Sequence, residues 1–411
     1  MIGPLIHAAL VVGLASGAPA DPPKSLARCI ESVRRAARFA GITETAWAAA
    51  TSDFTPDSTV LLADRRQPEF TLLIWDYLAA VVDSQRIADG LNRMAAWDSV
   101  LLAIEAKTGV DRHVVVAVWG VESDYGRAMG NRPLVRSLLT GACQGRRRRF
   151  FREQLIAALR IVQRGDIPLD RLVGSWAGAF GQTQFLPTTF LMKAVDGDGD
   201  GHRDLIGSVP DALWSAARYL ERSGWATGEP WGYEVTVPNG YRGRSGRPRP
   251  RSLDRWAASG LTRADSLPLE GSTLAALISP AGPAGPRFLV LRNYHAVWSY
   301  NAAEAYTLAI VHLADRMAGG ARFRTPWPTD DPGLSRQERR ELKERLAKLG
   351  YDAGALDGSL GAKARSAVAD YERASRIPVT GRPGQRLLAR LRAEATIQPA
   401  PRTPTPTSPT P

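Results

Sequence analysis

Residues 114–126 read VVVAVWGVESDYG, an unbroken apolar run that ends on one carboxylate, Glu122. A run with no polar side must be buried all round, so it belongs at the centre of a core. Its valines suit a central strand as well as a buried helix, and the pattern alone leaves both open. Burying the run takes Glu122 with it. A poorly solvated carboxylate keeps its proton to higher pH, which is what a general acid needs at neutrality. A Glu that only caps or flanks a buried element would look the same, so the other motifs have to decide.

The chain of 411 residues has room for two or three domains, and 44% apolar with 23% charged residues is the balance of a globular protein. No apolar stretch reaches the roughly 18 to 20 residues of a membrane span. The opening MIGPLIHAALVVGLASGAPA has a short apolar region, Leu5 to Leu14, and a small-x-small site at Ala18-Pro19-Ala20. It reads as an export signal cleaved after Ala20, although its start lacks Lys or Arg, and it predicts a periplasmic protein. In an oxidising compartment the two cysteines, Cys29 and Cys143, invite a disulfide whose long loop is worth about 4 kcal/mol on the entropic model; two separate buried thiols are the alternative. A net charge of +12, with an Arg146–Arg149 run and a basic stretch from Arg242 to Arg255, favours an acidic partner. Export and the absence of any nucleic-acid motif argue against nucleic acid, and a polyanionic cell wall fits better.

Helical spacing dominates after the signal: Leu26 to Phe39, Glu69 to Ile87, Leu91 to Thr108, Phe151 to Gln163 and Asp211 to Ser223. Trp231 to Val237 and Phe288 to Leu291 look extended, separated by the loop-like YRGRSGRPRPRS, and suggest a small β element. The fold class is therefore mainly α (α+β), with a first domain over 21–324. A linker at 325–333, TPWPTDDPG, leads to a compact unit at 334–394 with three short helices. Ser335 and Glu338 form its opening capping box, Leu342, Leu346 and Leu349 its first apolar face, and Asp357-Gly358 a turn. Residues 395–411 are Pro/Thr-rich and read as a disordered tail.

Four more motifs accompany Glu122. GSWAGAFGQTQFLPTTF, from Gly174, combines small residues that admit a ligand with uncharged hydrogen-bonding groups, Ser175, Gln182 and Gln184, suited to sugar hydroxyls. In DGDGDGHRDLIG, Asp196, Asp198 and Asp200 with Gly201 match the first half of a calcium loop, but the twelfth position is Gly207, leaving Asp204 or Asp211 to complete it. WSYNAAEAYTLAI places Tyr300 and Asn301 at a helix start, where Asn301 would also serve as an N-cap. RQPEFTLLIWDYL carries Tyr77 on an otherwise apolar face.

Together the segments RQPEF, VESDYG, RRRRFF, SWAGAFGQTQFLP, DGDGDGHRD, GEPWGYEV and YNAAEAY resemble the lytic murein transglycosylase B family over nearly all of Cys29 to Met317. LGYDAGALDGSLGAKARSAVADYE resembles a peptidoglycan-binding domain of the three-helix type. The resemblance implies a lysozyme-like domain with the run before Glu122 as a buried helix. It makes Glu122 the sole catalytic carboxylate and lines a glycan cleft with Tyr77, Arg146, Arg147, Ser175, Gln184, Tyr300 and Asn301. Leu186 stands where the family has methionine. The resemblance also implies calcium at Asp196, Asp198 and Asp200 with the His202 carbonyl and Asp211, the last displaced by one extra residue. No cofactor is implied for the chemistry, peptidoglycan is the implied partner, and partners in wall synthesis stay unspecified.

A glycosidase that uses water wants two carboxylates facing one site. Asp124, two residues along a helix from Glu122, points about 200° away. A lone acid suits intramolecular attack by the muramoyl C6 hydroxyl, giving a 1,6-anhydro end. The competing readings are a muramidase that uses water and a non-catalytic wall-binding scaffold.

Overall fold

The computed structural model describes residues 24–65, 73–243, 245–356 and 358–397. The expected export signal, the RQPEF segment, Asp357 and the residues from 398 lie outside the described residues.

The valine run forms a helix, Arg112–Ser123, started by Asp111, whose carboxylate accepts the His113 backbone N–H at 2.7 Å. Val114 to Gly120 are all buried, so packing on every side overrides the strand preference of the valines. Glu304–Met317, itself buried from Tyr306 to Ala314, lies against it. Ile74–Val81, Ser84–Ala96, Asp98–Thr108 and Val209–Arg222 join this first core, as do Ala276, Ile278, Phe288, Val290, Tyr294 and Val297.

Two helices expected from the periodicity are each interrupted. Ser84–Ala96 begins afresh after Ile74–Val81, because Asp83 takes an extended backbone and its carboxylate accepts the Arg86 N–H at 2.7 Å. The Leu91 to Thr108 pattern breaks at Trp97, which ends one helix and begins the next. Apolar periodicity survives such breaks because both pieces face the same core.

A second core gathers Lys24–Phe39, Glu44–Thr51, Leu134–Gln144, Arg148–Gln163 and Pro187–Lys193. Cys29 and Cys143 are joined by a disulfide here, with Cα atoms 5.6 Å apart, tying the first helix to Leu134–Gln144.

The β element is larger than the sequence suggested. Five antiparallel strands lie in the order Arg251–Ser252, Leu274–Ile278, Arg287–Val290, Gly232–Thr236 and Thr262–Arg263. Leu289 pairs with both Leu277 and Tyr233. The strand Leu274–Ile278 reads LAALI, buried on both faces over Ala275 to Ile278, and so lacks the alternation that marks a half-exposed strand.

The C-terminal unit packs Arg336–Lys348, Ala362–Ala374 and Gln385–Ile397 around Leu342, Leu346, Val368 and Leu388. The Ser335–Glu338 capping box forms as read. Leu349 is exposed rather than part of the apolar face, and the last helix runs to Ile397, past the expected boundary at 394. At the start of the segment 325–333, Glu234 accepts the Thr325 N–H, and that of Arg324 just before it, at 2.7 Å each.

Candidate active site

Glu122 sits in the last turn of Arg112–Ser123, and the turn directly after that helix fixes its direction. Asp124 and Tyr125 both have left-handed backbones, φ 51° and 59°, an unusual pair for residues with a Cβ. The chain folds back so that the Tyr125 ring covers Gly120, where a Cβ would meet it at 2.7 Å. The Tyr125 hydroxyl donates to the Arg86 carbonyl at 2.7 Å. Buried Ser123 donates to the Gln182 carbonyl at 2.6 Å and accepts the Gly126 N–H at 3.0 Å. The VESDYG motif is therefore a lock between the helix end and the Gly181–Gln184 turn.

Three tyrosines lie near the Glu122 carboxylate, one of them in contact with it. Tyr306 donates its hydroxyl directly to Oε1. Tyr77 and Tyr300 have their ionisation pushed up, by burial first and by the nearby Glu122 charge second. Burial raises Glu122 itself to about 7, with the Tyr306 hydrogen bond pulling the other way. No cation or second carboxylate among the described residues contributes to that shift. The group is thus poised between acid and base near neutrality. Tyr306 was not legible as a site residue: on an apolar helix it resembles a core tyrosine, and the only signal is its place in YNAAEAY beside Tyr300.

Asp124 has a different fate. It pairs with Arg86 at 3.4 Å, Arg127 at 3.0 Å and Arg336 of the C-terminal unit. These guanidiniums hold its carboxyl below the usual range against the cost of burial. Asp124 serves this ion-pair cluster, but not for the reason expected: the helix ends at Ser123, and the left-handed turn at Asp124, rather than helical geometry, sends its side chain to the arginines.

Of the residues assigned to a glycan cleft, Tyr77 and Tyr300 stand beside Glu122. The Tyr300 hydroxyl donates to the Thr183 carbonyl at 2.7 Å, bringing the Gly181–Gln184 turn to the same place. Gln184, at φ 49°, donates to the Met129 and Gly181 carbonyls at 3.0 and 2.8 Å, so its amide nitrogen shapes the turn. Ser175 Oγ accepts the Ala179 N–H at 3.1 Å. Asn301 is exposed, and the helix begins only at Glu304, so it is not the N-cap. Arg147 pairs with Asp64 at 3.2 Å and lies over the Phe150, Phe151 and Trp176 rings, whereas the Arg146 side chain is exposed. Leu186 precedes Pro187–Lys193 as its cap residue.

The acidic loop is connected to this turn. Gln182 donates its N–H to the Leu205 carbonyl at 2.8 Å, and a Cβ on Gly181 would strike that carbonyl at 2.7 Å. Carboxylate oxygens of Asp196, Asp198 and Asp211 lie within 4.8 Å of one another. Buried Asp211 therefore reaches the cluster despite the extra residue, and burial raises its pKa. It also accepts N–H groups of Gly197 at 2.7 Å and Asp204 at 2.6 Å. Asp200 falls outside the trio and accepts the His202 N–H at 2.8 Å.

Known proteins resemble this chain in family, in sequence and in structure. The family profile described as transglycosylase SLT domain matches residues 25–315, and a putative peptidoglycan binding domain profile matches 335–391. Membrane-bound lytic murein transglycosylase B of Escherichia coli (strain K12) is 32% identical over 246 residues, 58% of this chain and 63% of that relative's length. SltB3 of Pseudomonas aeruginosa, crystallised with NAG-anhNAM-pentapeptide, superposes with a TM-score of 0.73 at 43% identity, covering 90% of this chain and 100% of the other. Escherichia coli lytic transglycosylase Slt35, solved with calcium, gives a TM-score of 0.62 at 26% identity over 72% of this chain and 93% of the other. The described chain shares the lysozyme-like helical architecture of these structures.

Proposed function

The chain belongs to the transglycosylase SLT domain family, and from that premise we propose that it is a lytic transglycosylase of peptidoglycan. It cleaves the β-1,4 bond between N-acetylmuramic acid and N-acetylglucosamine and consumes no water. The observation that carries this reading is the solitary Glu122, held near pKa 7 among three tyrosines with no second carboxylate acting on it among the described residues.

Protonated Glu122 donates to the bridging oxygen as the muramoyl C1–O bond breaks, and the N-acetylglucosamine leaves with its hydroxyl restored. The muramoyl acetamide stabilises the cation developing at C1. Glu122, now a carboxylate, takes the proton of the muramoyl C6 hydroxyl, whose oxygen bonds to C1. The proton count closes: Glu122 loses one and regains one. The anhydro sugar in the SltB3 complex has the structure such a step leaves behind.

Most of the rate comes from orienting the C6 hydroxyl, since a well-placed internal nucleophile replaces a bimolecular step. Tyr77, Tyr300, Ser175, Gln184 and Asn301 form the sugar-facing wall in this reading. Exposed Arg146, with Arg147 beside Trp176, meets carboxylates of the lactyl group or stem peptide. The C-terminal unit holds the wall, and action on the wall calls for export to the periplasm.

Asp196, Asp198 and Asp211 offer hard oxygen donors close together, and none makes an ion pair among the described residues, so the trio suits calcium. The Asp200 carboxylate and His202 carbonyl are the next donors along the loop. Calcium there would relieve carboxylate repulsion and stiffen the loop behind Gln182, outside the chemistry.

The test is digestion of purified sacculi by the full chain with mass spectrometry of the glycan ends. Anhydro ends, one water lighter than reducing ends, are expected. Free reducing ends alone would make the enzyme a water-using muramidase; no soluble fragments at all would make it a scaffold.

A further inference from the structure

A cavity of about 820 Å³ lies between the first domain and the C-terminal unit, within the roughly 300 to 1,000 Å³ of ligand sites. One wall is the face of Ile74–Val81 that carries Trp75, Leu78 and Ala79. Trp75 and Ala79 lie about 200° round that helix from Tyr77, so the cavity and the Glu122 site occupy opposite sides of one helix. The C-terminal unit supplies the far wall through Glu338 and Gln385. It is clamped there by Arg382, which grips both oxygens of Asp76 at 2.9 and 3.0 Å, and by Arg336, which donates to Asp83 at 2.9 Å.

The chemistry of the walls is asymmetric. Each acid is already engaged: Asp83 by Arg336, Glu338 by Gln385 at 2.8 Å, and Glu341 by Arg345 and Arg392 at 2.8 and 2.5 Å. Arg316 and Arg322 have no ion pair among the described residues, and both act on His312, which burial keeps neutral with a pKa of about 3. Trp327 and Phe323 line the same space, with Trp75 at 6.5 Å from Trp327 and His312 stacked on Phe323 at 3.9 Å. Three side chains in this wall carry a buried polar atom without a partner: Trp75 Nε1, His312 Nδ1 and Arg316 Nε. Uncompensated cations beside aromatic rings and unspent hydrogen-bonding capacity describe a receptor for a short peptide carrying a carboxylate.

We propose that this interdomain cavity is a second wall-binding site, which takes the carboxylate-bearing stem peptide of peptidoglycan. Arg316 and Arg322 hold the carboxylate, and Trp75, Phe323 and Trp327 pack its apolar side chains. The choice of ligand rests on the wall-cleaving reading; the site itself does not. A strand anchored there places its peptide on the back of the helix that presents Tyr77 to the glycan.

The probe is free stem peptide, released from sacculi by an amidase and lacking any sugar, titrated calorimetrically into the full chain. Binding is expected, undiminished in Glu122→Gln and weakened at least tenfold in the double variant Arg316→Gln/Arg322→Gln. Arg322→Gln alone, at an exposed residue whose loss does not threaten folding, should weaken it by about threefold. Cleavage of peptide-free glycan strands should be unchanged in all the arginine variants. Equal affinity in the double variant, loss of binding in Glu122→Gln, or displacement of the peptide by peptide-free glycan would each overturn the proposal. Because the peptide cannot be cleaved, a failure of the lyase chemistry leaves this measurement readable.

Discussion

Glu122 and Asp124 leave the same helix end, and their surroundings differ in burial and in charged partners. Glu122 lies among tyrosine hydroxyls, so burial dominates and its pKa climbs to about 7. Asp124 is also partly buried, but Arg86, Arg127 and Arg336 surround it and hold it ionised. A tyrosine hydroxyl and a guanidinium both favour the charged carboxylate, but one neutral donor does not offset full burial at Glu122, whereas three cations do offset partial burial at Asp124. In the proposed mechanism one region hands over a proton; the other is a fixed charge paired with Arg336 of the C-terminal unit.

The sharpest way to break the contrast is to remove each carboxylate. Glu122→Gln should lower the rate of anhydro-end formation at least about 10³-fold with binding to sacculi retained. Asp124→Asn should leave the rate within about tenfold. Next is Tyr306→Phe, expected to cost about tenfold in kcat. Its hydroxyl favours the charged form of Glu122, so its loss raises that pKa and moves the alkaline fall of the pH–rate profile from near 7 to higher pH. A shift to lower pH would refute the assigned hydrogen bond.

Stability provides a third test. Glu122 has a folded pKa above its unfolded value, so below about pH 4 both states are protonated and the group is neutral to stability. As pH rises through 4.5 to 7 the unfolded chain ionises first, and the folded protein loses stability. Denaturant titration should therefore show Glu122→Gln more stable than the parent by about 1–3 kcal/mol at pH 8 and equal to it at pH 4.

Arg336→Ala, which strips the C-terminal clamp from Asp83 and Asp124, should lower kcat on short glycans about threefold with KM little changed, and Arg336→Lys should recover part of it. The smallest effect belongs to the acidic loop. Chelation should lower Tm by about 2–4 °C in the parent and by nothing in Asp211→Asn.

The helices of both units were legible because apolar periodicity and caps such as Ser335–Glu338 are local. Leu274–Ile278 was not, since a strand covered on both faces shows no alternation. Tyr306 escaped for a related reason: a hydroxyl on an apolar helix gives no sign of facing a carboxylate from 184 residues away. The extra residue before Asp211 put its role in doubt, yet the loop closes on it, because backbone N–H groups from Gly197 and Asp204 converge on its carboxylate.

By itself the sequence determined that a greasy segment would carry one acid into the core, and that a separate stretch from Gly174 combined small residues with uncharged hydrogen-bonding groups. Those are consequences of solubility and local backbone freedom, which each residue carries with it. Only the tertiary structure decided which carboxylate would meet hydroxyls and which would meet cations. That choice depends on groups far apart in the chain, and a charge feels its neighbours in space rather than in order.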